Sequence, residues 1–570
     1  MWQAIGTVPG SLQREISAPA GLGWKERRVF QYKPGTKRRL VNVLVQRSDA
    51  HWGVVLLDLS GATAERHGGA LEDLAIDWEA PGFAPESLAG RTAAALDESR
   101  VSALRRFVKT AQQRLEVPGV SVGILQGDRV AIAEGYGVRH LGSTVPPDAN
   151  TTFMVGSTTK PLTSLLVARL VDQGLMRWET PVHAVLPDFK VADPQLTARL
   201  ETRHLLCACS GIPRRDLPLF LNFGNRTPAT MLGAMAGLQP VSDLGKEYHY
   251  SNQMVAAGGF LAGRVAFPSL ELGAAYDRAM SQLLFSPLGM RSTTLSFEQG
   301  LQSPNLALPH GFNGQGQLEV VDAKANRNVI AARPSGGVWS TVNDMLRYLA
   351  LELNEGHLPN GRQWISRRVL LERRKPQVNT GPDSFYGLAL AIDRSMGTTV
   401  LQHTGATLGY QSLIFWIPEY RLGAVVLTNS DQGTLLALLM QRRLMELVLG
   451  LRQEAEADLE HLAKNVRMER MRQLQGIQNP PDPAEAARLS RRYRSPDLGV
   501  LTVERRNNQT IFDFGGFSTP VASRRMPDGS VHYMATGAGF VDWLEVESPD
   551  PDGRTLLIRE SHQTYRYSAE

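Results

Sequence analysis

The distribution of apolar and polar residues divides the chain into regions of different predicted structure. Near the N-terminus, short apolar runs at 29–32, 40–45 and 54–59 alternate with Gly, Pro and charged residues. Runs of this length and spacing are typical of strands separated by turns. We therefore expect a small β-rich domain over residues 1–92.

A helical pattern and a pair of strands follow. From Ser99 onward, apolar residues recur at the spacing of one helix face. The residues on that face are Val101, Leu104, Phe107, Val108, Ala111 and Leu115. The apolar runs 120–125 and 130–136 then flank a short turn that contains Gly127 and Asp128, which predicts a β-hairpin.

Three further strand-like runs come much later, at 399–405, 411–417 and 422–428, with short connections between them. Short connections make neighbouring strands antiparallel. Helical patterns and loops dominate the chain between the two groups of strands. These observations predict an α+β domain over residues 93–450 that begins and ends with strands and carries helices in its middle.

The C-terminal part contains a charged stretch and then a series of short β runs. Residues 451–475 are highly charged and the Pro-rich run 479–483 follows, so we predict a helical linker over 451–483. Beyond it, β runs alternate with turns that contain Asn, Gly and Asp; the runs are 498–503, 510–514, 530–534 and 555–558. This pattern predicts a β-barrel or a sandwich over 484–570.

Composition narrows the class of protein. A chain of 570 residues that is 42% hydrophobic can bury the cores of two or three domains. The 61 basic and 56 acidic side chains leave a net charge of +5 spread thinly, so we interpret the cluster Lys37-Arg38-Arg39 as a solvated face and predict no nucleic-acid partner. No apolar run approaches the roughly 20 residues of a membrane helix, and no leader pattern follows Met1. We expect a cytoplasmic protein without a membrane span, although removal of a signal would leave the same sequence.

Cys207 and Cys209 are the two cysteines of the chain. With one residue between them, they are poorly spaced to bridge each other or to hold a metal in a four-ligand site. We therefore expect no disulfide framework, and we interpret both residues as packing residues of a loop.

The run Ser157-Thr158-Thr159-Lys160 opens an apolar helical face that Gly174 ends. Residues three apart on a helix project from one face, so the Lys160 amine can reach the Ser157 hydroxyl. A helix N-terminus favours negative charge on an attacked carbonyl oxygen. Lys160 must have a lowered pKa to accept a proton, which burial and a neighbouring cation would provide. Two alternatives are that Ser157 is only a helix N-cap and that the Ser-x-x-Lys pattern arises by chance, as it does about once in a chain of this length.

Two later motifs strengthen the catalytic interpretation. They are Tyr250-Ser251-Asn252, in a predicted loop, and His403-Thr404-Gly405, at the end of a predicted strand. With Ser-x-x-Lys they resemble the three signature elements of the penicillin-recognising serine hydrolases, especially the branch with class C β-lactamases, D-alanyl-D-alanine carboxypeptidases, D-aminopeptidases and related esterases. The stretches 203–213, 287–290 and 334–340 also resemble sequence segments of this family.

The resemblance covers residues 93–450 and implies a β-lactamase-like domain, in which helices flank an antiparallel sheet beside an all-helical subdomain. The C-terminal β domain resembles the lipocalin-like modules of some family members, and the N-terminal domain resembles nothing we recognise.

The resemblance also implies roles for the motif residues. Ser157 would be the nucleophile that forms an acyl-enzyme. Tyr250 bridges Ser157 and Lys160 and later passes a proton to the leaving group; as a phenolate it would need a depressed pKa, which the neighbouring ammonium would supply. Asn252 would bind the amide carbonyl of the substrate and hold Lys160.

The remaining roles concern substrate binding. The backbone N–H groups of Ser157 and Ala406 would form an oxyanion hole. His403 and Thr404 would meet the polar end of the substrate, and Gly405 would leave room for it beside the strand.

Other mechanisms lack their motifs. The sequence contains no Gly-x-Ser-x-Gly elbow, His-Glu-x-x-His zinc helix, phosphate loop or dinucleotide fingerprint, so no metal and no organic cofactor is implied. His403 stands where many β-lactamases carry Lys, and an imidazole is only partly charged near neutral pH, which weakens the β-lactamase interpretation.

We therefore predict a serine hydrolase or acyl transferase for a small amide or ester. D-Amino-acid peptides, esters and β-lactams all remain open as the small-molecule or peptide substrate. The alternative is a non-catalytic binding or scaffold protein that retains this fold, and the intact motifs argue against it. Whether the flanking β domains cover the cleft or join copies into a homo-oligomer is left open.

Overall fold

The N-terminal part of the chain folds into a four-stranded antiparallel sheet whose strands are neighbours in chain order. The computed structural model describes residues 10–18, 21–32, 39–60, 78–221, 226–526, 529–541, 544–550, 552–560 and 563–570; Lys37 and Arg38 of the basic cluster lie outside them. The strands are β1 (Leu12–Ala18), β2 (Glu26–Tyr32), β3 (Arg39–Arg47) and β4 (Trp52–Ser60). The sequence prediction misses β1 because its polar residues interrupt any apolar run.

The strands that follow centre on one large sheet. They are β5 (Gly119–Gln126), β6 (Arg129–Gly137), β7 (Phe153–Met154), β8 (His310–Phe312), β9 (Leu318–Val320), β10 (Trp339–Ser340), β11 (Val378–Gly381), β12 (Ser384–Tyr386), β13 (Ala391–Asp393), β14 (Val400–Thr407), β15 (Tyr410–Ile417) and β16 (Leu422–Thr428). Eight of them form a sheet in the order β11-β12-β13-β14-β15-β16-β5-β6. Leu422 lies opposite Gln126, so the early hairpin pairs with the last strand in one antiparallel sheet.

Helices cover both faces of this sheet. The α-helices are α1 (Glu98–Arg114), α2 (Thr159–Asp172), α3 (Val182–Val185), α4 (Pro194–Arg199), α5 (Leu217–Leu221), α6 (Pro228–Ala234), α7 (Asn252–Ala266), α8 (Leu272–Ala279), α9 (Ser286–Leu288), α10 (Phe297–Leu301), α11 (Val342–Leu353), α12 (Arg367–Glu372), α13 (Gly433–Leu449), α14 (Ala455–Gln473) and α15 (Pro483–Arg488). Successive strand residues point to opposite faces. On β16, Val426 packs in a core shared with α1 and α13, whereas Val425 packs in a second core shared with α2 and α11. The predicted α+β architecture is thus confirmed.

The loop before α5 differs from the prediction. Cys207 and Cys209 form a disulfide, with their Cα atoms 5.1 Å apart. The expectation that their spacing prevents a bridge is wrong because Ala208 adopts a left-handed φ of 51°, which turns the chain back between the two side chains. Ala208 O also accepts the N–H of His249 over 2.7 Å, directly before Tyr250.

Of the two predicted architectures, barrel and sandwich, the C-terminal strands form the barrel. The strands are β17 (Arg492–Ser495), β18 (Gly499–Arg506), β19 (Gln509–Asp513), β20 (Ser518–Arg525), β21 (Val531–Ala535), β22 (Glu545–Ser548), β23 (Thr555–Glu560) and β24 (Gln563–Ala569). Closure occurs where β17 pairs with β24, with Tyr493 opposite Ala569.

The linker helix α14 connects the central region to the barrel and contacts the N-terminal sheet. Its side chains His461 and Asn465 donate hydrogen bonds to Ser17 O of β1, over 2.9 and 2.7 Å. Within the described parts of the chain, no helix has the length and apolar character needed to cross a membrane.

Candidate active site

Ser157 lies in the tight turn between β7 and α2. The turn is a 3-10 segment that continues directly into α2. Gly156 has a φ of 53°, and a Cβ added there would lie 2.6 Å from Ala406 N of β14, so the turn requires glycine. Ser412 of β15 donates its hydroxyl hydrogen to Val155 O over 2.7 Å. The central sheet therefore fixes the turn, and with it the position of Ser157.

Lys160 is completely buried and has three oxygen partners. Its Nζ lies 2.8 Å from Ser157 Oγ, 2.7 Å from Asn252 Oδ1 and 2.6 Å from Ser335 O. Burial lowers the pKa of the Lys160 amine well below its usual range, and the negative charge of Asp216 only opposes this shift. The environment therefore favours the neutral amine.

The partners of Lys160 fit a neutral amine in number as well. A neutral amine has two N–H donors and one lone pair. The oxygens of Asn252 and Ser335 can only accept, so they take the two N–H groups. The lone pair is left for the O–H of Ser157, so the amine can accept that proton.

Tyr250 is the second side chain that contacts Ser157 Oγ. Its hydroxyl donates to Ser157 Oγ over 2.9 Å, and its ring centroid lies 4.7 Å from Lys160 Nζ. Burial raises the pKa of Tyr250 above its usual value, so the expected depression of this pKa is absent. The reason is that burial disfavours a phenolate, and that Lys160 is itself held neutral. Tyr250 is therefore a phenol that can donate a proton.

Asn252 is held in one orientation by a residue that sequence reasoning missed. Its Nδ2 donates to both carboxylate oxygens of Asp216, over 2.9 and 3.0 Å, which directs Oδ1 toward Lys160. Asp216 is buried and also pairs with Arg214. Charged residues directly after the apolar segment that ends at Pro213 are the sequence signal that points to them.

His403 is buried near Tyr250, with 6.3 Å between the ring centroids, and has two hydrogen-bond partners. Nδ1 lies 2.6 Å from Thr404 O, which can only accept, so Nδ1 carries the proton and Nε2 accepts from Tyr386 OH over 3.0 Å. Burial, with a smaller contribution from Lys160, lowers the pKa of His403 to about 3. The expected partial charge near neutral pH is thus absent, because burial disfavours the charged ring.

Three consecutive residues of β14 have different positions. Thr404 and Ala406 line the cleft. Gly405 instead meets the chain itself: a Cβ there would clash with Val155 O and lie 3.0 Å from Ser157 N. We expected Gly405 to leave room for substrate. Instead, its missing side chain allows the turn that contains Ser157 to lie close to β14. Ser157 N and Ala406 N therefore both lie where the turn meets β14.

Ser157 lines a cleft with a volume of about 1010 Å³. Its apolar lining includes Leu217, Leu219, Phe220, Val329 and Leu408. Arg559 and Glu560 line it from the barrel. Among the residues that the structure describes, no three His, Cys, Asp or Glu side chains are grouped to hold a metal ion.

Comparisons with known proteins identify the family of the chain. The sequence profile of the beta-lactamase family matches residues 104–448. Penicillin-binding protein 4 of Amycolatopsis lactamdurans is 28% identical over 348 residues, which cover 59% of this chain and 87% of that protein. An unguisins hydrolase of Aspergillus campestris is 26% identical over 337 residues, which cover 57% of this chain and 60% of that protein.

A solved structure shares the fold over most of the chain. The octameric penicillin-binding protein homologue from Pyrococcus abyssi superposes with a TM-score of 0.52 at 19% sequence identity, covering 82% of this chain and 99% of that chain. The profile match spans more than half of the residues, and the fold agrees with it. The resemblance drawn from the three motifs is therefore confirmed, and the chain belongs to the beta-lactamase family of penicillin-recognising serine hydrolases.

Proposed function

We propose that the protein is a serine hydrolase that works through an acyl-enzyme on Ser157. The observation that carries the proposal is the pair of contacts at Ser157 Oγ, 2.8 Å from Lys160 Nζ and 2.9 Å from Tyr250 OH. A nucleophile within hydrogen-bond reach of a base and an acid is the arrangement that acyl transfer requires.

Acylation begins when Ser157 Oγ attacks the substrate carbonyl and its proton passes to the Lys160 amine. The resulting oxyanion is stabilised by the N–H groups of Ser157 and Ala406, each worth about 3 kcal/mol in sites of this kind. Tyr250 donates its proton to the leaving group as the bond between the carbonyl carbon and the leaving group breaks. Lys160 returns the proton to Tyr250, so the net transfer is from Ser157 to the leaving group.

Deacylation uses the same groups in reverse. Water attacks the Ser157 ester, Tyr250 and Lys160 remove its proton, and Ser157 Oγ leaves and is reprotonated. The acid is released, and the site returns to its starting protonation.

The surroundings of the site favour a small amide or ester whose recognition does not depend on a cationic third motif. His403 is neutral, and the cleft lining combines apolar side chains such as Leu217 and Phe220 with polar ones such as Asn326 and Gln402. D-Amino-acid peptides or amides and esters meet this description, whereas β-lactams fit it less well because many β-lactamases carry Lys in place of His403. The relatives named above, a penicillin-binding protein and a hydrolase, support the same chemistry.

The test is covalent labelling with a fluorescent penicillin and a fluorophosphonate, together with hydrolysis of p-nitrophenyl acetate. We expect wild type to label and turn over, and Ser157→Ala to do neither. Ser102→Ala, on the outer part of α1, is the matched control and is expected to behave as wild type. Equal labelling of wild type and Ser157→Ala would contradict the assignment. Absence of both labelling and turnover in wild type would favour the non-catalytic alternative.

A substrate panel then separates the open classes. It contains D- and L-aminoacyl p-nitroanilides, simple esters and nitrocefin, each measured as kcat/KM. A preference for the D-aminoacyl compounds would identify a D-peptidase, and a preference for nitrocefin would identify a β-lactamase.

Self-association is a second part of the proposal. It is supported by the fold shared with the octameric homologue of Pyrococcus abyssi. Size-exclusion chromatography with light scattering is expected to give a multiple of the mass of one chain. A mass of one chain at all concentrations would contradict it.

A further inference from the structure

The barrel supplies part of the wall of the active-site cleft. Arg559 and Glu560, at the end of β23, line the same cleft as Ser157. Leu217 and Leu221 of α5 pack within the hydrophobic core of the barrel. Helix α5 is therefore shared, with some of its residues facing the cleft and others buried by the barrel.

Glu560 holds the backbone at the start of α5. Its Oε1 accepts the N–H of Asp216 over 2.6 Å and the N–H of Leu217 over 3.1 Å. Its Oε2 accepts the hydroxyl hydrogen of Tyr565 over 3.0 Å. Both carboxylate oxygens thus have partners, which restricts the Glu560 side chain to one orientation. Because Glu560 belongs to the barrel, this contact exists only when the barrel is docked.

Asp216 connects the start of α5 with the side chains that contact the nucleophile. Its carboxylate takes both hydrogen bonds from Asn252 Nδ2, and this leaves Asn252 Oδ1 facing Lys160 Nζ at 2.7 Å. Lys160 in turn lies 2.8 Å from Ser157 Oγ. A continuous series of hydrogen bonds therefore connects Glu560 of the barrel with the nucleophile.

We propose that Glu560 is a positioning residue of the active site, which orients Asn252 and Lys160 by holding the backbone that carries Asp216. The inference rests on the proposed function and deepens it, because it makes the barrel a part of the catalytic apparatus. The barrel then acts on the rate of acylation and not only on substrate access. Truncation of the Glu560 side chain lets the start of α5 move, and a displacement of about 1 Å at a catalytic group can cost up to about a hundredfold in rate.

The pH dependence provides a readout that loss of stability alone would not change. The charged and titratable groups around Lys160 are Asp216, Arg214, Tyr250 and His403. The charge of Asp216 raises the pKa of Lys160, against burial and Arg214. If the Asp216 carboxylate moves away, the pKa of Lys160 falls further. The acidic limb of the pH profile of kcat/KM then moves to lower pH.

The experiment compares four variants of the full chain in p-nitrophenyl acetate hydrolysis. Glu560→Ala is expected to lower kcat by about ten- to a hundredfold and to leave KM within about twofold, with the acidic limb shifted to lower pH. Glu560→Gln places an amide oxygen where the carboxylate oxygen Oε1 was, which can accept both N–H groups, and is expected to restore kcat. Glu560→Asp, one methylene shorter, is expected to fall between them. Glu545→Ala, in the same barrel but bonded to His532 on a neighbouring strand, is the matched control.

Thermal unfolding of each variant checks that the barrel is folded. If Glu560→Ala does not fold, the comparison of Glu560→Asp with Glu560→Gln tests the inference, since both side chains keep a hydrogen-bond acceptor. Equal kcat, KM and pH profile for the Glu560 variants and Glu545→Ala would overturn the inference. Failure of wild type to label at Ser157 would overturn the proposed function and the inference together, whereas labelling of wild type and Glu560→Ala at equal rates overturns the inference alone.

Discussion

Tyr386 donates its hydroxyl hydrogen to Nε2 of His403 over 3.0 Å, and both side chains are buried. The bond fixes the imidazole as a neutral ring with its proton on Nδ1, which faces Thr404 O. The third motif of this chain therefore presents a polar but uncharged group to the cleft that Ser157 also lines.

The first prediction concerns stability on acidification. The pKa of His403 is lowered by burial to about 3, so below the ordinary histidine value of about 6.5 the unfolded chain binds a proton that the folded chain does not. Stability is therefore lost as pH falls from about 6.5 toward 3, by up to about 1.4 kcal/mol per pH unit for this one group. His403→Gln should lose less. Urea unfolding at pH 7.5 and pH 4.5 measures the difference, and an equal loss in both proteins would contradict it.

Lys160→Met tests the base. Methionine is similar in length and uncharged but cannot accept the Ser157 proton, so kcat is expected to fall by about 10²- to 10⁴-fold. In wild type the acidic limb of kcat/KM should lie well below the ordinary lysine pKa, because burial lowers that of Lys160. A limb near pH 10, measured over pH 5–11, would be the opposite result.

Tyr250→Phe tests the proton donor. The ring and its packing remain, and only the hydroxyl that donates to Ser157 Oγ is lost. We expect kcat to fall by about 10²- to 10⁴-fold, with much less effect on the binding of a competitive inhibitor. An unchanged kcat would remove Tyr250 from the mechanism.

Gly156→Ala tests the fixed turn at the nucleophile. The added Cβ would lie 2.6 Å from Ala406 N, so the turn must separate from β14. We expect loss of acylation measured by labelling. Gly174→Ala is the control, because Gly174 also has a positive φ, of 71°, but has nothing within 4 Å of the added Cβ. It should cost about 1–2 kcal/mol of stability and leave the labelling rate unchanged; equal loss of labelling in both variants would argue against a special role of the turn.

The disulfide gives a prediction for reducing conditions. Ala208 O and Cys209 O accept the N–H groups of His249 and Gly245, so the bridged loop supports the segment that leads to Tyr250. Alkylation without reductant should add nothing to the mass, and alkylation after reduction should add two groups. Reduction should also lower activity, and a double Cys207→Ala, Cys209→Ala variant should not respond to reductant. Two alkylated thiols in the untreated protein would contradict the bridge.

Much of the central sheet could be predicted from sequence because its strands are strongly apolar. The runs that become β5, β6 and β14–β16 differ from their predicted bounds by at most a few residues. In contrast, β1 and β24 carry many polar residues and give weak signals.

The same division applies to the site. Ser157, Lys160, Tyr250 and Asn252 could be found because each belongs to a short motif. Asp216 and Glu560 could not, since their roles depend on contacts between residues that are distant in the chain and belong to no motif. The disulfide was missed for a local reason, the left-handed backbone of Ala208, which residue spacing does not reveal.

The pairing of β5 with β16 has a consequence for synthesis. The ribosome releases the hairpin of β5 and β6 long before residues 422–428 exist, and until they do, one edge of β5 has no partner. That edge is an apolar strand with unpaired backbone groups, which is a common starting point for aggregation. A nascent chain that stalls before Leu422 therefore cannot complete its central sheet, and such truncated products are expected to depend on chaperones to stay in solution.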